Sequence, residues 1–365
     1  MTRPHPPGGP SSHLYFLAVV ASACLLLHCG TQGPLQPPRL EQPEKVTNLA
    51  ARQVGRTLEV SFTLPRLATD HERLTKPLEI ELLRSVTPSS APAPTSPSLK
   101  PWLTLMPDQW SPHAQEDKLT YPIQLSDQEY SQVVGENLAL AVRTLARGFR
   151  HRPHESELSN LIHISLLEVS VPVEDLRAQT TEKAIELAWT VPTRSLSGHA
   201  LRDLAGYRVY RSVTGKPGSF TLLGETPTPQ YQDREFQFGH TYFYSVRAVF
   251  RTNRETAESE DSLPARITPV DTFPPAAPSG LTAVYSAGAV ELVWTANTES
   301  DLAGYSVYRR EEGGTPQRLN KELLSTPIFR DTTVLAGHKY VYWVTAEDLA
   351  HNESPPSPEV AVETN

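Results

Sequence analysis

Asp203-Leu204-Ala205-Gly206-Tyr207-Arg208-Val209-Tyr210-Arg211 returns, with one change, as Asp301-Leu302-Ala303-Gly304-Tyr305-Ser306-Val307-Tyr308-Arg309. The flanks repeat in step. Upstream, Ile185-Glu186-Leu187-Ala188-Trp189-Thr190 corresponds to Val290-Glu291-Leu292-Val293-Trp294-Thr295. Downstream, Gly239-His240-Thr241-Tyr242-Phe243-Tyr244-Ser245-Val246 corresponds to Gly337-His338-Lys339-Tyr340-Val341-Tyr342-Trp343-Val344. A period of roughly 100 residues is too long for a solenoid and fits tandem copies of one small domain.

Within each copy the apolar residues alternate. Val290, Leu292 and Trp294 share one face of a strand, Tyr305 and Val307 a second, and Tyr340, Tyr342, Val344 and Ala346 a third. Ile185, Leu187 and Trp189, then Tyr207 and Val209, then Tyr242, Tyr244, Val246 and Ala248 repeat the layout, with an insertion near residues 194–200. Turn signals such as Glu312-Gly313-Gly314 separate the runs. Period-2 strands around a buried tryptophan, without helical periodicity, describe a β-sandwich.

These motifs resemble the fibronectin type III domain, with its tryptophan on strand B, Tyr-x-Val on strand C and Gly-x-x-Tyr at the start of strand F. The resemblance implies an all-β fold of tandem fibronectin type III-like, immunoglobulin-like β-sandwiches. It assigns the strand B role to Trp189 and Trp294 and the strand C role to Tyr207 and Tyr305. Tyr242 and Tyr340 take the tyrosine corner, whose hydroxyl bonds back to nearby backbone. Residues 45–168 look like a divergent first copy: Leu58, Val60 and Phe62 alternate as strand B, Leu78, Ile80 and Leu82 suit strand C, and Leu138, Leu140 and Val142 suit strand F. Ile162, Ile164 and Leu166 suit the last strand, and the Pro/Ser-rich stretch from Thr87 to Pro101 reads as a long loop. The other two domains occupy residues 172–270 and 275–365. The Pro-rich joint between them, Asp271 to Pro278, should be extended and semi-rigid, with Phe273 plugging the space between domains.

Residues 1–29 read as an export signal. Arg3 precedes an apolar run from Leu14 to Leu27, too short to span a bilayer. Leu26-Leu27-His28-Cys29 resembles a bacterial lipobox, with Cys29 the lipidated residue and residues 30–44 a flexible tether; Leu27 and His28 depart from the small residues usual there. The rival is cleavage after Ala21-Ser22-Ala23, giving plain secretion or a mature Cys24. The chain has 34 prolines and only two cysteines, both in this segment, so the sandwiches must hold by core packing without disulfides. A net charge of −8 argues against a general affinity for nucleic acid.

No catalytic signature is present: there is no Gly-x-Ser-x-Gly elbow, phosphate-binding loop or His-Glu-x-x-His helix. His151, His154, Glu155 and Glu157 offer metal-ligand types but read better as a solvated loop. Arg143, Arg147, Arg150 and Arg152 form a basic cluster that reads as surface or as an anion contact. Glu299, Ser300 and Asp301 lack calcium-loop spacing and read as turn caps. His240 and His338 read as turn residues. No metal or cofactor is expected. By strand parity Tyr308 and Trp343 face outward on adjacent strands, and Tyr210 and Phe243 are expected to pair likewise, so these four are the candidate ligand-binding residues. Coverage by arginine or lysine stems is the bland alternative.

The chain thus reads as a non-catalytic binding or spacer protein, exported and lipid-anchored to a bacterial membrane, at the outer membrane, periplasm or cell surface, or otherwise secreted. Its partner would be a protein or polysaccharide of the envelope, with no nucleic acid. The alternative is an accessory scaffold subunit of an envelope or polysaccharide-degrading enzyme complex. An enzyme hidden in the first unit would show a pocket with converging polar groups between Phe62 and Arg84.

Overall fold

The computed structural model describes residues 1–2, 41–91, 97–147 and 153–365. The export signal, Cys24 and Cys29, nearly all of the tether, and Arg150, His151 and Arg152 lie outside the described residues.

The first domain contains β1 (Ala50–Val54), β2 (Thr57–Thr63), β3 (Glu79–Thr87), β4 (Lys100–Leu105), β5 (Ala114–Gln115), β6 (Lys118–Gln124), β7 (Asn137–Arg147), β8 (Pro153–Glu155) and β9 (Ile162–Ser165). One sheet runs β1-β2-β6-β5; the other runs β4-β3-β7-β8, with β9 also on β7. The Pro/Ser-rich loop is shorter than expected, since Lys100 and Pro101 already pair with β3. Its core has Phe62, Ile80 and Leu138 where the repeats have tryptophan and tyrosines. Replacement aromatic volume comes from Trp102, Trp110 and Tyr130. Tyr130 sits on α2 (Asp127–Val133), which begins at a Ser126–Glu129 capping box; this box satisfies two otherwise orphaned amides. Trp110 ends the single turn α1 (Pro107–Trp110) and donates its indole N–H to the Leu78 carbonyl at 2.8 Å.

The second domain contains β10 (Glu174–Thr180), β11 (Ile185–Thr190), β12 (Leu204–Ser212), β13 (Thr221–Thr226), β14 (Gln230–Asp233), β15 (Tyr242–Arg251), β16 (Thr256–Glu258) and β17 (Ala265–Ile267). The third contains β18 (Ser279–Ser286), β19 (Ala289–Thr295), β20 (Leu302–Glu311), β21 (Gln317–Arg318), β22 (Ile328–Asp331), β23 (Lys339–Asp348) and β24 (Val360–Glu363). Each packs a three-stranded sheet, β10-β11-β14 or β18-β19-β22, against a sheet centred on the pair β12-β15 or β20-β23. Trp189 and Trp294 are buried and meet Tyr207 and Tyr305 edge-on, with ring centroids 5.1 and 5.2 Å apart. The Tyr242 hydroxyl accepts from the Gln237 amide at 3.0 Å, and the Tyr340 hydroxyl accepts from the Leu335 amide at 3.2 Å. Those are the tyrosine corners expected of this fold. The molecule is all-β, built of tandem fibronectin type III-like sandwiches.

The repeated phrase now has a physical cause. Gly206 and Gly304 lie at register shifts at the start of β12 and β20, with φ of 150° and 155°. A Cβ there would come within 2.5 Å of the Thr226 carbonyl or 2.7 Å of the Leu324 carbonyl. Only glycine fits so close an approach.

The first two domains are joined by backbone. β1 pairs in parallel with β16, so that one nine-stranded sheet runs through both domains. Gln53, buried on β1, donates its amide to the Leu167 carbonyl at 2.9 Å and accepts from the Leu167 amide at 2.8 Å. The insertion at residues 194–200 lies in this joint: the Leu196 amide donates to the Val169 carbonyl at 2.9 Å, and its side chain packs on both cores. The second joint is lighter. Phe273 packs against Phe238 at 6.3 Å, and Asn352 donates to the Asp271 carbonyl at 3.3 Å.

Candidate functional site

In the third domain Tyr308 on β20 stands directly opposite Trp343 on β23. Alternation turns Val307 and Val344 into the core and these two rings outward. The rings stack with centroids 5.6 Å apart and planes 4° from parallel. Both are half-buried. The Tyr308 hydroxyl donates to Glu353 at 3.0 Å, and the Thr345 hydroxyl donates to the same carboxylate oxygen at 2.6 Å. Burial, and then the neighbouring Glu353, push the Tyr308 hydroxyl above the usual tyrosine range. The patch is therefore a pair of aromatic rings with a fixed carboxylate beside it. Val341 has the same outward parity but is covered, lying between Arg310 and Ala361.

The second domain does not reproduce the pair. Tyr210 stands opposite Ser245, and Phe243 stands opposite Ser212. The residue corresponding to Trp343 is Ser245, so Tyr210 and Phe243 are displaced by two positions along β15. Each ring also lies beneath an arginine: Arg247 is 4.7 Å from the Tyr210 centroid and Arg266 is 6.0 Å from that of Phe243. The Tyr210 hydroxyl donates to buried Glu258 at 2.7 Å and is pushed up to about 12 by burial, with Glu258 beside it. Burial raises Glu258 itself, but bonds from Tyr210 and Arg208 and the charge of Arg247 outweigh it and hold the carboxyl below its usual range. Arginine contacts therefore mark the second domain, and the stacked aromatic pair belongs to the third; all four rings are half-buried.

Other candidates resolve into structural roles. Arg143 pairs with Glu81 and Glu155, Arg147 with Glu79, and Glu157 with Lys45, which leaves the expected basic cluster largely neutralised among its described members. Glu299 accepts from the Ala276 and Thr298 amides, a turn cap across the domain joint. Asp301, in contrast, joins Asp271 and Asp348, with one carboxylate oxygen of each within 4.8 Å of the others. Three carboxylates so close are cation-ligand types, although Asp348 already accepts from the Ala350 and Asn352 amides. Between Phe62 and Arg84 an open depression of about 390 Å³ is lined by Arg66, Lys76, Trp110 and Asp117. Two of its charges pair off, Arg66 with Asp117 at 3.1 Å and Lys76 with Glu41 at 3.3 Å.

Two sets of residues escaped the sequence reading. Asp233 and Asp331 are buried and accept from the Tyr244 and Tyr342 hydroxyls at 2.7 and 2.9 Å, and from Arg211 and Arg309 at 2.8 and 2.7 Å. The second set is a motif present in all three domains, Glu155-Ser156-x-x-Ser159, Glu258-Ser259-x-x-Ser262 and Glu353-Ser354-x-x-Ser357. Its serine hydroxyls accept strand-F amides, from Thr144 and Val142, from Ala248 and Val246, and from Ala346 and Val344, at 2.9 to 3.0 Å. The motif was readable as a third repeat.

No family model matches the chain. It is similar to Exoglucanase B of Cellulomonas fimi, 31% identical over 200 residues, covering 53% of this chain and 16% of that protein. Exoglucanase A of the same organism is 32% identical over 157 residues, covering 38% and 16%. Amylopullulanase of Thermoanaerobacterium saccharolyticum is 40% identical over 86 residues, covering 23% and 6%. The chain thus spans less than a fifth of the length of these curated relatives. Among solved structures, chicken CNTN1 FN1–FN3 aligns over 88% of this chain and 99% of its own, at 14% identity and a TM-score of 0.26. A two-domain fibronectin type III segment of chicken tenascin aligns over 53% and 99%, at 20% identity and a TM-score of 0.34.

Proposed function

We propose that this chain is a non-catalytic, exported binding and spacer protein whose third domain docks polysaccharide through Tyr308 and Trp343. The observation that carries the proposal is the outward, half-buried aromatic stack with Glu353 beside it. A sugar ring offers an apolar C–H face to an aromatic side chain and hydroxyls to a fixed carboxylate, so this chemistry suits it. The similarity to proteins named exoglucanases and amylopullulanase supports a glucan as the polysaccharide, and supports the second reading of an accessory partner to polysaccharide-degrading enzymes. The test is co-sedimentation of the full chain with insoluble glucan. Retention lost in a Trp343→Ala chain that still folds supports docking; equal retention of the variant rejects this patch, and no retention of either protein leaves the array a spacer.

Anchoring through Cys29 is part of the same proposal, motivated by the lipobox resemblance. Among the described residues no helix is long and apolar enough to cross a membrane. Cys29→Ser should shift the protein from the membrane fraction to soluble periplasm or medium, whereas Cys24→Ser should not. An unmodified mature N-terminus at another residue would end the lipid claim.

A further inference from the structure

One arginine recurs at the same register in all three domains. Arg84, Arg211 and Arg309 stand opposite Leu140, Tyr244 and Tyr342 on the central strand of their sheets. In the second and third domains the guanidinium lies over the Tyr242 or Tyr340 ring and donates to buried Asp233 or Asp331. Those aspartates stand opposite Ile185 and Val290, the first inward residues of their B strands. The same position in the first domain, opposite Leu58, is Ile123. The two tyrosines are replaced there by Leu138 and Leu140. Arg84 has kept its place and lost every partner that its counterparts use.

Its surroundings supply an aromatic ring but no carboxylate bond. The Arg84 guanidinium lies 4.5 Å from the Trp102 ring centroid, and its Nη1 is closed off from water without a hydrogen-bond partner among the described residues. Burial pushes Arg84 below the usual arginine range, with the field of Glu129 opposing that shift. The Glu129 carboxylate is itself engaged by Ser126. Neither Arg84 nor its cross-strand neighbour Lys100 forms an ion pair with a described residue, and residues 3–40, 92–96 and 148–152 contain no Asp or Glu. Arg84 is half-buried, and a partly desolvated guanidinium without a carboxylate partner opposes folding, a cost that an anion from outside would offset. Beside it opens a depression of about 500 Å³ lined by Arg84, Ser85, Ser98, Lys100 and Trp102.

We propose that this depression binds a carboxylate, which takes from outside the place that Asp233 and Asp331 fill from within. A guanidinium edge matches a carboxylate in a two-bond pairing, and Nε and Nη2 are the Arg84 nitrogens not closed off from solvent; the Lys100 ammonium adds a second positive charge, and the serine hydroxyls are available to the remaining lone pairs. A free organic acid and a uronate sugar both carry this group. The site lies in a different domain from the Tyr308–Trp343 stack and does not depend on it.

The experiment titrates the full chain with glucuronate, succinate, glucose and inorganic phosphate, followed by calorimetry. Saturable binding of both acids, with glucose silent, supports a site for free carboxylates; saturation by glucuronate alone supports a uronate site. Arg84→Gln should weaken the response at least about tenfold while the variant still folds, because the group it removes has no internal carboxylate partner and only the Trp102 ring beside it. Ile123→Asp, which restores the internal carboxylate, should weaken it as well; should that variant not fold, Arg84→Gln decides. Tyr308→Ala with Trp343→Ala should leave it unchanged. Absence of saturation with both acids, equal response to phosphate, or unaltered affinity in folded Arg84→Gln would overturn the proposal.

Discussion

Asp331 concentrates in one side chain the forces that set the third domain's core. It is 2% exposed and accepts from Arg309, Tyr342 and Thr333. Removing one member of such a buried group leaves the other charge without a partner, which costs about 3–5 kcal/mol. Asp331→Ala should lose that much in equilibrium denaturation followed by hydrogen exchange in β23, while β15 exchanges as before. Burial raises the Asp331 pKa, but the bonds from Thr333 and Tyr342 and the charge of Arg309 outweigh it, so the net shift is downward. A carboxyl depressed in the folded state contributes stability that is present above its unfolded value, about 3.9, and lost as pH falls through the lower folded value. The third domain should therefore destabilise as pH drops below about 4, and Asp331→Asn should flatten that dependence. A wild-type slope retained in the variant would remove Asp331 from the acid response.

At the scale of elements, the serine motif shows how an irregular edge holds its register. Ser354 and Ser357 donate their own amides to Ala346 and Val344 and accept those residues' amides on their hydroxyls. Each serine thus replaces both bonds of a ladder rung. Ser354→Ala should leave a buried amide unpaired at a cost of about 1–3 kcal/mol, and Ser259→Ala should do the same in the second domain. Unchanged denaturation midpoints would show that water takes over the hydroxyl's role. The inward faces of these strands were legible in the sequence because alternation is local: Trp294, Tyr305 and Tyr342 lie where period 2 puts them. The expected pairing of Tyr210 with Phe243 does not form, since parity gives a face while only the register says which residues stand opposite. The buried aspartates escaped because an isolated Asp in a turn-rich stretch carries no periodic signal, although the alignment of Asp233 with Asp331 was available. Arg84 could be recognised as unpartnered only once strand pairing had placed Ile123 opposite Leu58.

At the scale of the whole molecule, the joints differ in kind. A parallel strand pair, buried Gln53 and the two-sided packing of Leu196 bind the first and second domains, whereas a ring contact and a few polar bonds carry the second joint. Local pattern could not foresee the β1–β16 seam, because the choice of partner strand is made across more than 200 residues of chain. Calorimetry of the full chain should show the first two domains unfolding in one transition and the third in another. Trp294→Ala should lower only the latter, by about 3–5 kcal/mol. Three independent transitions, or one shared by all, would contradict this division.

The claim that the array is a binding protein rests on Tyr308 and Trp343. Both rings are half-buried and Tyr308 bonds Glu353, so their truncation should cost on the order of 1 kcal/mol of folding stability, and at least about 2 kcal/mol of binding if they anchor a ligand. The direct measurement is calorimetric titration of the full chain and of Tyr308→Ala with Trp343→Ala against a soluble gluco-oligosaccharide, with melting recorded in parallel. The account predicts saturable binding by the wild-type chain and none by a variant that still folds cooperatively. Equal binding by both proteins, or a variant that unfolds, would contradict it.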